Sequence, residues 1–158
     1  YLPTGVPTPK KDILRRLVGW RREGIFSLSG YIADQSPKWE NIHLWLPFLN
    51  HPDTPVFTGA ERISRKMNDA VYYVKMTRPR RGYYDVEYVP ITDDPASMPD
   101  GEVTRRFFKM LEQSIREAPA YYLWTHNRWK RTKEEFDRLY TVVNGRVMKR
   151  ANDTSICS

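Results

Sequence analysis

Nine consecutive residues at positions 25–33, Ile-Phe-Ser-Leu-Ser-Gly-Tyr-Ile-Ala, carry no charge. An uncharged run of this length is typical of a strand that is buried on both faces of a sheet, because neither face then meets water. The run stops at Asp34-Gln35-Ser36-Pro37, whose residue types favour a turn. Before the run, apolar residues at helical spacing predict a helix over residues 10–23. The chain therefore opens with a predicted helix and a predicted buried strand.

The rest of the chain continues this alternation. The pattern first predicts a long aromatic loop at 36–57 and a helix that begins with the capping box Thr58-Gly59-Ala60-Glu61 and ends near Asn68. Two strands follow at 70–76 and 83–89, joined by a turn at 77–82. The chain then continues with a helix at 100–117, capped by Asp100, and with two further helical stretches at 120–130 and up to Tyr140. This order predicts an α/β fold, a sheet flanked by helices that is incomplete at its N-terminus. We assign residues 1–143 to this domain and residues 144–158 to a polar, frayed tail.

Positive charge is concentrated in one part of the chain. Residues 105–150 contain 12 Lys and Arg and five Asp and Glu, whereas the remainder carries 14 of each. A basic segment beside a neutral body indicates an anionic partner, which can be anionic lipid, nucleic acid or a phosphorylated substrate. The alternative is a solvated charged face without a partner.

Several classes of site are disfavoured by the composition. A lone cysteine, Cys157, cannot form an internal disulfide and argues against a cysteine-based zinc site. His43, His51 and His126 show no metal-ligand spacing, and no nucleotide-binding glycine motif is present. We therefore expect no metal and no cofactor. No apolar run is long enough for a membrane span, and the first residues do not form a signal peptide.

Two short motifs are candidates for substrate binding. Asp34 and Gln35 follow the predicted strand, and the carboxyl ends of strands face the ligand crevice in open α/β sheets. Thr58 and Gly59 open a helix, whose free N–H groups can bind an anion. Each has a structural alternative, because Asp34 can simply cap a turn and Thr58 can belong to an ordinary capping box.

Two basic motifs are candidates for contact with an anion or a membrane. Arg78, Arg80 and Arg81 surround the predicted turn, where they can bind phosphate or remain solvated. The segment 121–131, Tyr-Tyr-Leu-Trp-Thr-His-Asn-Arg-Trp-Lys-Arg, mixes aromatic and basic residues. It can lie at a membrane interface, stack on nucleic acid bases or form a core helix. In a helix, Trp124 and Arg128 share one face; the candidate contacts of this segment are Trp124, Arg128, Trp129 and Lys130.

Four of these stretches, in this order, resemble the lipid A late acyltransferase family of the lysophospholipid acyltransferase-like superfamily. They are Gly30-Tyr31-Ile32-Ala33-Asp34-Gln35, Leu46-Pro47-Phe48-Leu49-Asn50, Thr54-Pro55-Val56-Phe57-Thr58-Gly59 and the segment 119–130. The resemblance spans about residues 10–131. Asn50, where the family usually has Gly, and the Thr-Arg-Pro-Arg-Arg-Gly-Tyr-Tyr turn are similar to the Bacteroides-type branch.

The resemblance implies transfer of a fatty acyl chain from a thioester to a hydroxyl of a lipid A precursor or related glycolipid. The family uses a His-x4-Asp or His-x4-Glu pair, in which the histidine is the general base. The carboxylate of such a pair stands five positions after the histidine, and the residues at that position after His43, His51 and His126 are Phe48, Val56 and Arg131. We therefore expect the pair, and the family's membrane helix, upstream of Tyr1, and we expect this chain alone to be inactive.

By the same resemblance, Asp34 and Gln35 line the active-site crevice, Thr58 and Gly59 shape it, and Phe48 borders an acyl channel. The implied partners are an acyl carrier protein or coenzyme A thioester, the lipid A precursor and an anionic membrane surface, without nucleic acid. The implied location is the cytoplasmic face of the bacterial inner membrane, in lipopolysaccharide synthesis. The competing hypothesis is a non-enzymatic basic module that binds nucleic acid or anionic membrane.

Overall fold

The computed structural model describes residues 12–150, which divide into two compact units, one up to Tyr31 and one from Ile32 onward. In the first unit, helix α1 spans Ile13–Arg22, which confirms the predicted helix over its described part. Leu17 of the predicted apolar stripe is buried, while Arg15 and Arg16 are exposed. The chain leaves the helix at Gly24, whose φ of +70° suits glycine.

The strand predicted at 25–33 is wrong, because these residues form no strand. Phe26 and Leu28 are 103% and 89% exposed. A strand needs a neighbour to satisfy its backbone groups, and none of the described strands pairs with this run. Absence of charge alone therefore did not indicate a buried strand.

The second unit contains three antiparallel strand pairs. Strands β1 (Leu44–Phe48) and β2 (His51–Val56) form the first, β3 (Val71–Arg80) and β4 (Tyr83–Thr92) the second, and β5 (Tyr140–Val143) and β6 (Arg146–Lys149) the third. Each pair is a separate two-stranded sheet. The described part of the fold is thus a mixture of helices and small antiparallel sheets, and not one sheet flanked by helices.

The first strand pair replaces the long loop predicted at 36–57. Its turn is formed by Leu49 and Asn50, with φ of 49° and 66°. Pro47, Pro52 and Pro55 lie within its strands. Proline is tolerated here because each strand of a two-stranded sheet keeps an outer edge without ladder hydrogen bonds. The prolines that suggested a loop are therefore compatible with a short hairpin.

The second and third strand pairs also differ from the prediction in extent. Strands β3 and β4 confirm the predicted hairpin but are longer, so that only Arg81 and Gly82 remain in the turn. Strand β6 occupies part of the predicted frayed tail, which is wrong for residues 146–149 because they pair with β5. Asn144 and Gly145, both at positive φ, form the turn. Residues 151–158 lie outside the described residues.

The remaining helices are α2 (Gly59–Met67), α3 (Glu102–Glu117) and α4 (Lys133–Leu139), with short 3-10 turns at Trp39–Asn41 and Pro119–Tyr121. Helices α2 and α3 were predicted, whereas the helix predicted at 120–130 is wrong. After Pro119 the chain forms turns, and the Trp124 indole N–H bonds back to the Pro119 carbonyl at 2.7 Å. Trp124 and Arg128 consequently share no helix face.

Thr58 is the N-cap residue of α2, as predicted, but neither predicted capping bond forms. The Thr58 side chain makes no capping bond to α2, and the N-cap of α3 is Gly101 and not Asp100. The buried Glu61 carboxylate instead accepts bonds from the backbone N–H groups of Gly101 (2.7 Å) and Thr104 (3.0 Å) and from the Thr104 hydroxyl. Asp100 pairs with Arg65. Glu61 thus joins α2 to the positive end of α3, where a carboxylate is favoured.

Helix α3 lies between two apolar clusters of the second unit. On one side Phe108 and Ile115 pack with β1 and β2. On the other side Val103 packs with Tyr73 and Ile91 of β3 and β4. Phe107 contacts both clusters. The helix therefore holds the two hairpins in place, and the first hairpin carries the candidate site.

Candidate functional site

The segment after Pro119 folds back so that Arg128 lies in the core. Arg128 is 1% exposed. Its guanidinium carbon lies 5.1 Å from the ring centroid of Phe48 and 5.9 Å from that of Phe108. Its Nε donates a hydrogen bond of 2.9 Å to the Tyr122 hydroxyl. A cation over aromatic faces gains electrostatic attraction, which partly offsets its lost hydration.

The buried guanidinium keeps one donor unused. The Arg128 NH1 nitrogen is buried and has no hydrogen-bond partner. Arg128 forms no ion pair with a carboxylate of residues 12–150. A buried charge without a counter-charge is strongly disfavoured. The NH1 group of Arg128 is therefore an unused, positively charged donor within the core.

Trp129 fixes the same segment to the first hairpin. Its indole N–H donates a 2.9 Å bond to the hydroxyl of Thr54, which is fully buried. Its ring stacks on His51 with a centroid separation of 3.8 Å. Arg128 and Trp129 thus bind adjacent parts of β1 and β2.

His126 connects the segment after Pro119 to the residues that follow Asp34 and Gln35. The backbone N–H of Ser36 donates to His126 Nε2 at 3.2 Å. Since Nε2 accepts, a neutral His126 carries its proton on Nδ1. The Ser36 hydroxyl and Arg131 Nε are also buried without a partner. We call the group formed by Ser36, Phe48, Thr54, Tyr122, His126, Arg128 and Trp129 the arginine cluster.

The predicted substrate-binding residues are only partly brought together. Phe48 belongs to the arginine cluster, at 1% exposure. Asp34 is half-buried and Gln35 exposed, and neither makes a hydrogen bond or ion pair with another described residue. Thr58 and Gly59 begin α2, and a Cβ at Gly59 would meet no atom within 4 Å. These four residues make no hydrogen bond or ion pair with the arginine cluster, and their binding roles stay predictions.

The predicted membrane or anion contacts lie in two places. Arg78, Arg80 and Arg81 stand at the end of the second hairpin, where the Arg80 guanidinium covers the Tyr83 ring at 3.7 Å. The Arg78 guanidinium lies 5.7 Å from the ring of Tyr121. Trp124 and Lys130 are exposed and Trp129 is half-buried. Arg128, in contrast, is too deeply buried to contact a membrane surface in this conformation.

None of the three histidines is arranged as a general base. None bonds or pairs with a carboxylate of the described residues, and the His126 Nε2 lone pair is already used. His51 lies against Trp129. Partial burial, and secondarily the positive charge of Arg62, holds the pKa of His43 below its usual value. A carboxylate-oriented histidine is therefore missing from residues 12–150.

Within residues 12–150, no group of three or more His, Cys, Asp or Glu side chains is placed to hold a metal ion. No helix in this part of the chain is both long enough and apolar enough to cross a membrane.

Sequence reasoning missed several residues that hold the site together. Tyr122, Thr54 and Phe108 serve as partners of Arg128 and Trp129, and their residue types alone do not reveal such pairing. Arg128 was named from the sequence, but its burial was not; its position in an aromatic segment is the signal that favours a guanidinium packed between rings.

Comparison with known proteins gives one finding. A sequence model of the family described as bacterial lipid A biosynthesis acyltransferase matches residues 7–131. This range contains all four motif stretches and the whole arginine cluster. Neither a curated protein nor a solved structure matches the chain significantly.

Proposed function

The chain belongs to the family of bacterial lipid A biosynthesis acyltransferases, and from this membership we propose a specific reaction for it. The protein transfers a fatty acyl chain from an acyl carrier protein or coenzyme A thioester to a hydroxyl of a lipid A precursor or related glycolipid. The family match over residues 7–131 carries the proposal. The convergence of three of the four motif stretches on the arginine cluster supports it.

In this reaction the acceptor hydroxyl attacks the thioester carbonyl while a general base removes its proton. The tetrahedral intermediate collapses to the ester, and the thiol leaves. We place the base in a His-x4-Asp or His-x4-Glu pair upstream of Tyr1, because no histidine of this chain has a carboxylate five positions later. Donors that stabilise the oxyanion are also needed. For the whole protein we also propose the helix-flanked sheet of an acyltransferase, which the described residues alone do not form.

We further propose that Asp34 and Gln35 line the crevice of that whole enzyme, with Thr58 and Gly59 at its wall. Asp34 is half-buried without a partner among described residues, so that its carboxylate is free to orient a substrate or the base. An acyl channel beside Phe48 requires movement of the arginine cluster, since that ring is now buried. Asn50 and the turn at 77–84 support the Bacteroides-type branch. The proposed location is the cytoplasmic face of the inner membrane.

The test uses the protein that carries these residues together with the upstream segment. We expect it to form an ester product from an acyl thioester and a lipid A precursor, whereas the 158-residue chain alone forms none above background. Asp34→Asn should reduce turnover about a hundredfold or more with little change in melting temperature. Asp85→Asn, at an exposed strand position, is the matched control and should leave turnover unchanged. Transfer by the chain alone would contradict the placement of the base.

A second candidate function is a basic module for nucleic acid or anionic membrane. It is favoured by exposed aromatic residues beside basic residues, above all Tyr83 beside Arg80 and Tyr121 beside Arg78. Such residues can stack on bases as well as enter a lipid interface. A competition between the two partners distinguishes them.

A further inference from the structure

The hairpin of β3 and β4 has one face that nothing described covers. Register places Val74 opposite Tyr88 and Met76 opposite Val86. Together with Tyr72 these side chains are 47–61% exposed. Alternation along the strands puts all five on one side, and opposite partners are close enough to touch. We call these five residues the hairpin face.

The other side of the same hairpin is already occupied. Tyr73 is buried against α3, and its hydroxyl donates to the Ser114 hydroxyl at 2.9 Å. Lys75 forms an ion pair of 2.9 Å with Glu117 of the same helix. The two sides therefore differ in composition, and the apolar side is the exposed one. A contiguous exposed group of large apolar side chains marks a surface that contacts a partner.

Positive charge adjoins the hairpin face at the end of the hairpin. None of Arg78, Arg80 and Arg81 forms an ion pair with a carboxylate of residues 12–150. Arg80 and Arg78 lie over tyrosine rings, which leaves their charge available to an anion. Exposed Leu123 and Trp124 follow Tyr121 in the chain.

We propose that the hairpin face lies on an anionic lipid surface. Its aliphatic and aromatic side chains enter the boundary between headgroups and acyl chains, and the three arginines contact lipid phosphates. Tyrosine and tryptophan favour this boundary, and basic residues are attracted to anionic headgroups. The inference rests on the proposed function, since it supplies the lipid surface at which the acceptor is found. A second copy of the chain is a less suitable occupant, because pairing two such faces brings uncompensated arginines together.

The first experiment measures flotation of the 158-residue chain with phosphatidylcholine vesicles containing 30% phosphatidylglycerol, against pure phosphatidylcholine. Met76→Asp should weaken binding to the anionic vesicles at least about tenfold, because an apolar contact is replaced by a buried charge. Thr77→Asp makes the same change in charge one residue away, on the other side of the strand, and should weaken binding about twofold. Far-UV circular dichroism and urea midpoints establish that each variant is folded.

The second experiment tests whether the position of the arginines matters for vesicle binding, or only the total charge of the chain. Arg80→Gln with Arg81→Gln should weaken binding about 25-fold, from roughly fivefold for each basic residue near an anionic surface. Arg138→Gln with Arg146→Gln removes the same charge from exposed positions on α4 and β6 and should have a much smaller effect. Hydrogen exchange should slow in residues 83–90 when anionic vesicles are added.

Three outcomes would overturn the inference. They are absence of binding to anionic vesicles, equal losses for Met76→Asp and Thr77→Asp, and slowed exchange outside the hairpin only. If hydrogen exchange in the hairpin is slow even without vesicles, and light scattering gives twice the mass of one chain, the hairpin face is assigned to a second copy. None of these results bears on ester formation by the whole protein, so failure here is distinguishable from failure of the proposed reaction.

Discussion

Glu61 is a single residue on which the junction of two helices depends. Its buried carboxylate accepts three hydrogen bonds at the start of α3. Glu61→Gln places an amide N–H₂ group against N–H donors, and we expect a loss of about 1–3 kcal/mol in the free energy of unfolding. Glu112→Gln breaks only a surface pair with Arg116 and should cost about 0.5 kcal/mol. Urea denaturation measures both; equal effects would contradict the structural role of Glu61.

His43 provides a prediction in pH. Its pKa is lowered, first by burial and then by the charge of Arg62. Because the folded protein favours the neutral imidazole, this contribution to stability is present above the usual histidine pKa and is lost as the pH falls through the lowered value. NMR titration should find the His43 pKa below that of an unfolded control. Arg62→Gln should raise it only in part, since burial remains; a return to the full unfolded value would reverse the order of the two causes.

At the scale of elements, α3 is the support of the second unit. Phe108 is 2% exposed and lies edge-on to Phe48, with a centroid separation of 5.2 Å. Phe108→Ala should lower the free energy of unfolding by about 3–5 kcal/mol. Lys109→Ala, at the next and exposed position, should change it by less than about 0.5 kcal/mol. Denaturant titration compares the two, and a small effect of Phe108→Ala would mean that the apolar cluster between α3 and the first hairpin is loosely packed.

The elements also show what the sequence could predict. Helix α3 and the β3–β4 hairpin followed from apolar periodicity. The apolar stripe of α3 packs against both hairpins, whereas the alternating apolar side of the β3–β4 hairpin, with Val86 and Tyr88, is exposed. The run at 25–33 did not, since a buried strand is defined by neighbours that periodicity cannot identify. The hairpin at 44–56 was hidden by prolines that its outer edges tolerate.

Within the candidate site, the sequence indicated which residues take part better than it indicated where they lie in the fold. Arg128 was expected on a helix face beside Trp124, yet the turns after Pro119 place it in the core at 1% exposure. Burial of a guanidinium between aromatic rings depends on tertiary contacts with Phe48 and Phe108, far away in sequence. The same dependence explains why Glu61 was assigned to its own helix and not to α3.

At the scale of the whole molecule, charge and apolar surface act together. Lys130, Arg138, Arg146 and Lys149 are exposed and form no ion pair with carboxylates of residues 12–150. They contribute a general attraction to polyanions, and at physiological ionic strength salt limits the range of this attraction to about 8 Å. The hairpin face contributes an apolar term that salt does not screen. Only a partner that has both phosphates and an apolar interior can bind the basic residues and the hairpin face at the same time.

This combination predicts the outcome of a competition. Labelled single-stranded DNA bound to the chain at low salt should be displaced by anionic vesicles at equal phosphate concentration, because Val74, Met76 and Val86 gain burial only in lipid. Neutral vesicles should not displace it. Raising the salt should weaken DNA binding more steeply than vesicle binding, since counterion release dominates the former. Tight DNA binding that anionic vesicles leave intact would favour the nucleic acid module. Binding to neither partner would leave the basic residues as a solvated face, and lipid contact would then rest on family membership alone.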